Sequence, residues 1–272
     1  MILLHTLCCC GNVFPGGTMK LIRGLAIPVL ILLLWLYVSI QGFFNSYLLP
    51  SPVTIADTMG QLIENGLLLK HIGISLYRVL LGFSLTFILA FPLAVVLGMN
   101  QKWNDYFDPV LDFIRHVPPL ACVPLLILWF GIGEPPKIAI IMLATFFPVF
   151  LNTLNGVLGC DKKLLEVAHV FEFTAMDRFR RIILPSALPS IILGMRLGLG
   201  YSWRSLIGAE LIAASSGIGY MIIDAEQISR PDIIFVGILT IGLFGYCIDY
   251  GFLKLTEYLM PWEDRQVDYG RG

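Results

Sequence analysis

The stretch DKKLLEVAHVFEFTAMDRFRRIILPSALPS, residues 161–190, decides how this chain is read. It is far more polar than its flanks. Residues 138–160 before it carry no Asp, Glu, Lys or Arg, and residues 186–214 are apolar apart from Arg196, Arg204 and Glu210. Inside the stretch, Leu164, Leu165, Ala168 and Phe171 recur at helical spacing with Val167 beside them, while Glu166, His169 and Glu172 take other faces. That pattern predicts a short amphipathic helix, apolar toward the bulk of the protein and polar outward. A second short helix is expected from Asp177, as N-cap, to about Ile183, stopping before Pro185. The stretch is either a solvated linker between two apolar segments or a docking element for a soluble partner.

Working outward, the flanks have the character of membrane spans. A spanning helix needs about 20 mostly apolar residues. After Arg23 there is no charge until Asp57, and residues 79–101, 116–133 and 138–160 are charge-free. The run 116–133 carries His116, Pro118, Pro119 and Pro124, so it is expected to bend. Residues 186–214 and 233–255 are interrupted spans, the latter with Asp249 and Lys254 near one end. The alternative for 186–214, a helix lying on the membrane surface, would need a broad charged face that it lacks. The expected fold class is therefore all-α and integral to the membrane, with six transmembrane helices.

Composition agrees. Of 272 residues, 57% are hydrophobic and 14% charged, and mean hydropathy is +0.81. Soluble domains carry about 25% charged residues, so a soluble enzyme and a disordered chain are excluded. Lys and Arg (18) nearly balance Asp and Glu (19), for a net charge of -1, which leaves no basic surplus for a nucleic acid. The placement of the basic residues sets the orientation. With the N-terminus inside, the inner segments hold Lys20, Arg23, Lys102, Lys162, Lys163, Arg178, Arg180, Arg181, Lys254, Arg265 and Arg271, against Lys70, Lys137 and Arg230 outside. Both termini are expected in the cytoplasm, and Trp103, Trp129 and Trp262 read as interface anchors near span ends.

The chain organises as an N-terminal extension 1–18, a first transmembrane helix with an external segment over 19–69, a transmembrane domain over 70–258 and a tail over 259–272. The extension holds Cys8, Cys9 and Cys10. Translation could instead begin at Met19, with the following run retained as a span rather than removed as a signal peptide. Cys122, Cys160 and Cys247 are scattered, and no CxxC or Cys/His ligand spacing occurs, so neither a zinc site nor a disulfide framework is implied. His5, His71, His116 and His169 share no helical spacing. The chain contains no G-x-x-x-x-G-K-[ST], H-E-x-x-H or G-x-S-x-G. No catalytic, metal or cofactor constellation is expected, which favours transport or a scaffold role over catalysis. The glycines of Ser215–Tyr220 (SSGIGY) could suggest a phosphate cradle, but no Lys follows, so a loop or re-entrant turn is expected.

The polar stretch resembles the cytoplasmic "EAA" loop of ABC-importer permeases, whose pattern is E-A-A-x-x-x-G, nine residues, then I-x-L-P. Glu166, Val167 and Ala168 stand for E-A-A, Glu172 takes the Gly position, and Ile182, Ile183, Leu184 and Pro185 match I-x-L-P in register. Val167 for Ala is a mild departure. Glu172 for Gly is larger, because Gly there permits a tight turn between the two short helices. Further blocks are similar to permeases of the nitrate, sulfonate, taurine and bicarbonate group: LLPSPVTIADTM (48–59), RVLLGF (78–83), PPLACVPLLILWFGIGE (118–134), FFPVFLNTLNGV (146–157), SALPSIILGMRLGLG (186–200) and ASSGIGYMIIDA (214–225). They stand in the expected order over most of residues 48–262.

The resemblance implies a type I ABC-importer permease, working as a homodimer in the inner membrane with separate ABC ATPase subunits and a periplasmic or lipid-anchored substrate-binding protein. ATP would be bound by the ATPase, with no cofactor on this chain. Glu166, Val167, Ala168, Glu172, Leu184 and Pro185 would form the coupling contact. Glu166 and Glu172 would face the ATPase, while Leu164, Leu165 and Ala168 would hold the helix to the membrane domain. The solute would be small and anionic, of the alkanesulfonate, taurine or nitrate type. An ion-coupled secondary transporter and an integral-membrane enzyme are the alternatives.

The charged span adds a second site. Arg196, Trp203 and Glu210 are seven apart, so each lies about 20° round the helix from the last. They form one stripe, and Arg204 adjoins it. Buried charge at mid-membrane is costly, so the stripe should face a bundle interior or a water-filled path. It either lines the translocation path or forms salt bridges to neighbouring helices, Glu210 neutralising an arginine. Gly194, Gly198 and Ser202 run four apart on another face suited to close helix packing.

Overall fold

The computed structural model describes residues 17–42, 45 and 47–259, and every regular element among them is helical. The expectations for residues 1–16, including Cys8, Cys9 and Cys10, and for Trp262 and the rest of the tail beyond Leu259, lie outside the described residues. The chain divides at Asp57/Thr58 into two compact units. The first contains α1 (Gly17–Ile40), whose apolar portion Ala26–Ile40 is largely exposed.

The second unit is built on four long apolar helices: α3 (Leu67–Met99), α6 (Glu134–Leu158), α9 (Leu184–Ala213) and α11 (Pro231–Leu259). Helix α2 (Pro52–Glu64) ends at the turn signal Asn65-Gly66, where Gly66 has φ 69. Helix α3 then starts at Leu67, well before the expected boundary at Val79. Lys70, expected in an external segment, lies in its first turn, and Arg78 lies inside it. No Gly or Pro breaker stands between Gly66 and Arg78 except the helix-tolerated Gly73, so the helix has no reason to begin at the first charge-free residue. Likewise α6 begins at Glu134 and includes Lys137.

The apolar run 116–133 does not form one straight helix. Helix α4 (Gln101–Arg115) ends at His116, a 3-10 turn covers Pro119–Cys122, and α5 is only Val123–Phe130. The segments Tyr106–Arg115 and Pro119–Phe130 meet at 84°. Pro118 and Pro119 remove two backbone donors and force the preceding residues out of helical geometry, so the bend falls where they stand.

Helix α6 sits between α3 and α9. Phe83, Ala90, Ala94 and Leu97 of α3 share a buried core with Val149, Phe150 and Leu154 of α6. The α6–α9 contact is close because α9 presents glycines there. A Cβ on Gly194 would lie 2.7 Å from Asn152 Cβ, and one on Gly198 would lie 2.8 Å from Val149 Cγ2. The small-residue face expected at Gly194, Gly198 and Ser202 is therefore turned to α6, with Ser202 buried.

Helix α7 (Lys162–Val170) is present as expected, with Asp161 as its N-cap accepting from Lys163 N. Its burial differs from expectation. Ala168 is buried and Leu165 half-buried, but Leu164, Val167, Val170 and Phe171 are exposed. The nine-residue helix meets the bundle along one edge and leaves most of its apolar stripe uncovered. The second short helix also differs. Its N-cap is Thr174, whose hydroxyl accepts from Asp177 N and donates to the Asp177 carboxylate, so Asp177 sits inside the first turn. Nor does helix stop before Pro185. Helix α8 (Ala175–Arg178) passes through a π turn (Phe179–Ile183) into α9, and this widened turn ends two residues before Pro185, which lacks an N–H.

Candidate translocation and coupling sites

Besides the Arg230–Asp232 pair at the start of α11, two clusters of charged residues stand out in the helical bundle. The first is the end where α3 and α6 begin and α9 finishes. Arg78 of α3 is completely buried. Its guanidinium forks onto Glu134 of α6, with Nε to Oε2 and Nη2 to Oε1 both at 2.6 Å, and its Nη1 donates to Glu210 Oε1 of α9 at 2.7 Å. The same group donates to the Ser216 carbonyl at 2.7 Å and the Ser216 hydroxyl at 3.1 Å. Lys137 reaches Glu134 at 3.2 Å. Two cations face two carboxylates, and all five N–H donors of the buried Arg78 guanidinium find an acceptor.

Glu210 completes the corner. It accepts from the Ser75 hydroxyl at 2.8 and 3.0 Å and from Gly219 N at 2.9 Å. Gly219 lies in the first turn of α10 (Ile218–Gln227), so this carboxylate occupies the positive end of that helix. Ser75 Oγ also accepts from Ile218 N, and His71 Nδ1 accepts from Gly217 N, both at 3.0 Å. The glycines of SSGIGY are thereby explained. Gly217 has φ 114, and a Cβ there would run into the Glu210 carboxylate. The cradle at this helix terminus is filled by the protein's own anion rather than by a phosphate.

The second place lies between α9 and α11. Arg196 Nε and Nη2 donate to Asp249 Oδ1 and Oδ2 at 2.7 and 2.8 Å. Trp203 is buried and donates Nε1–H to the Ile241 carbonyl at 3.1 Å. Arg204 is exposed and makes no ion pair among the described residues. Arg196, Trp203, Arg204 and Asp249 line one pocket of about 170 Å³, closed further by Leu199 and Phe252. The helical stripe thus divides: Glu210 belongs to the corner with Arg78, and Arg196, Trp203 and Arg204 to the crevice. Sequence reasoning took Arg78 for a span boundary and did not assign Glu134 or Asp249. The unbroken helical run from Leu67 was the signal that Arg78 lies within a helix.

The residues expected to couple lie together at the opposite end of α6 and α9 from the corner. Glu166 and Glu172 are exposed, Val167 is half exposed, Ala168 is buried, Leu184 is half-buried at the end of the π turn and Pro185 is exposed. Glu172 adopts φ 50. Glu172 N donates to the His169 carbonyl and Phe173 N to the Ala168 carbonyl, both at 3.0 Å. This is the paired closure of a Schellman turn, with Glu172 in the left-handed position that glycine usually takes. The tight turn is made despite the missing glycine.

The chain matches, over residues 82–253, the family described as binding-protein-dependent transport system inner membrane component. It is 44% identical over 89% of its length to a Bacillus subtilis (strain 168) relative described as a "putative aliphatic sulfonates transport permease protein", covering 88% of that chain. It is 33% identical to a taurine transport system permease protein of Escherichia coli (strain K12), over 85% of this chain and 86% of that one. Among solved structures, an inward-facing MetNI methionine ABC transporter superposes with TM-score 0.56 at 17% identity, covering 68% of this chain and 96% of the other. The shared fold is that of the type I ABC-importer permeases.

Proposed function

The chain belongs to the family of inner membrane components of binding-protein-dependent transport systems, and we propose that it carries a small solute with an anionic group, of the alkanesulfonate, taurine or nitrate type, through a path lined by α9. The observation that carries the reading is Arg204. It stands nine residues before the end of α9 at Ala213, about 14 Å along the axis and so near the middle of a hydrocarbon core about 30 Å thick. An arginine with no ion pair among the described residues costs about 2.5–3.5 kcal/mol at such depth on insertion scales. It is tolerated where it meets water or an anion rather than lipid. Arg196, Trp203 and Arg204 line this path, while Glu210 supports it from the corner with Arg78.

Energy enters at the other end. The chain has no phosphate-binding loop, so ATP is bound and hydrolysed by a separate ABC ATPase, and this chain needs no cofactor. Helix α7 is the coupling element. Glu166 and Glu172 flank an exposed apolar face of Leu164, Val167, Val170 and Phe171, which suits insertion into a cleft of that subunit. Buried Ala168 and Leu165, which packs with Leu184 on the core of Val157, Cys160 and Ile183, hold the element to the bundle beside Pro185 at the start of α9. The asymmetry of Lys and Arg supports both termini on the cytoplasmic side. A periplasmic or lipid-anchored binding protein then delivers the solute at the corner end, and a second copy of the chain completes the path.

Replacing Arg204 by Gln tests this. Uptake of the anion by the reconstituted permease with its ATPase and binding protein should fall at least tenfold, while the complex assembles normally. Unchanged uptake would remove Arg204 from the path.

A further inference from the structure

Two arginines and one aspartate share the α9–α11 pocket, and the count of their charges has a consequence. Arg196 and Arg204 against Asp249 leave one positive charge in a space of about 170 Å³. The space is wide enough for several waters or one small oxyanion. Asp249 engages both forward donors of Arg196, yet the pair is not sealed: the Arg196 and Asp249 side chains are 36% and 49% exposed. An entering anion can therefore meet Arg204 directly and compete with Asp249 for Arg196. A monoanion brings the pocket to neutrality, whereas a dianion leaves an uncompensated negative charge within the membrane, which is costly.

We infer that Asp249 sets the charge selectivity of the path: as a fixed counter-anion to Arg196 it admits monovalent anions and rejects divalent ones, and by reclaiming Arg196 it returns the solute for release. The inference rests on the anion-path reading of Arg196 and Arg204. Asp249 lies on α11 (Pro231–Leu259), outside the stripe on α9 that first drew attention.

The test uses the purified permease–ATPase complex without binding protein, so that selectivity belongs to the permease. Equilibrium binding of radiolabelled methanesulfonate and sulfate is measured. The wild type should prefer methanesulfonate. Asp249→Asn should shift the sulfate-to-methanesulfonate affinity ratio at least tenfold toward sulfate and slow methanesulfonate turnover in the full system. An unchanged ratio overturns the inference. A rescue series stands independently of whether that variant assembles. Arg196→Gln leaves the pocket neutral and should lose methanesulfonate binding at least tenfold. Arg196→Gln combined with Asp249→Asn restores one positive charge on Arg204 and should recover methanesulfonate binding with its preference over sulfate. No recovery overturns the role of Asp249. If Arg204→Gln leaves binding and uptake intact, the path reading itself fails. If Arg204→Gln abolishes both while the Asp249 variants bind like their parents, only the role of Asp249 fails.

Discussion

The Arg78 corner and the Arg196–Asp249 crevice use the same chemistry, an arginine forked onto a carboxylate, and come to opposite ends. In the corner Arg78 and Glu210 are fully buried and every donor is taken, by Glu134, Glu210 and Ser216. In the crevice Arg196 and Asp249 remain partly exposed and the adjacent Arg204 has no ion pair among the described residues. Glu134 at the edge of the corner is as open to solvent as Asp249, but the Arg78–Glu210 pair is dry, its arginine has no donor left for a ligand, and removing one member strands the other. An open pair with an extra cation can exchange partners. Burial, not residue type, separates the brace from the candidate binding site.

The sharpest way to break this contrast is Arg78→Ala. It should destabilise the permease by about 3–5 kcal/mol, because it leaves Glu210 buried without its cation, and should be read as lost folded yield and a lowered melting temperature of the detergent-purified complex. An intact complex with a normal melting temperature would show that the corner is not a brace. Gly217→Ala comes next. The added methyl meets the Glu210 carboxylate at a backbone angle that side chains avoid, and a loss of about 2–3 kcal/mol is expected by the same melting measurement. Arg196→Gln should change stability by less than about 1 kcal/mol, since its pair is half open to solvent, while reducing anion uptake. A large stability loss there would make the crevice a second brace. The smallest effect is expected at the Schellman turn that ends α7. Glu172→Gly relieves a left-handed residue and should stabilise the permease by about 0.5–1 kcal/mol, seen as a small rise in melting temperature.

Much of the architecture is legible in residue order. The apolar runs mark α3, α6, α9 and α11 because a helix within lipid must present apolar side chains over its whole length. The glycines Gly194 and Gly198 mark the face of α9 that approaches α6. Helix α7 shows in the spacing of Leu164, Leu165 and Ala168. Helix limits are less legible. Arg78 ended a charge-free run and so resembled a boundary, although Asn65-Gly66 was the true break. Pro185 resembled a stop, although a π turn carries the helix past it.

Function divides in the same way. Family membership and the stripe Arg196, Trp203, Glu210 follow from sequence, because registry with a known loop and the 3.6-residue period are properties of one strand of text. Which of those residues braces and which stays open does not. Glu210 meets Arg78, Ser75 and Gly219, from segments far away in the chain, while Arg196 meets Asp249 on α11. Spacing along one helix fixes the face a side chain takes. Only the packing of other helices against that face decides whether its charge is buried and satisfied or left exposed to a passing ion.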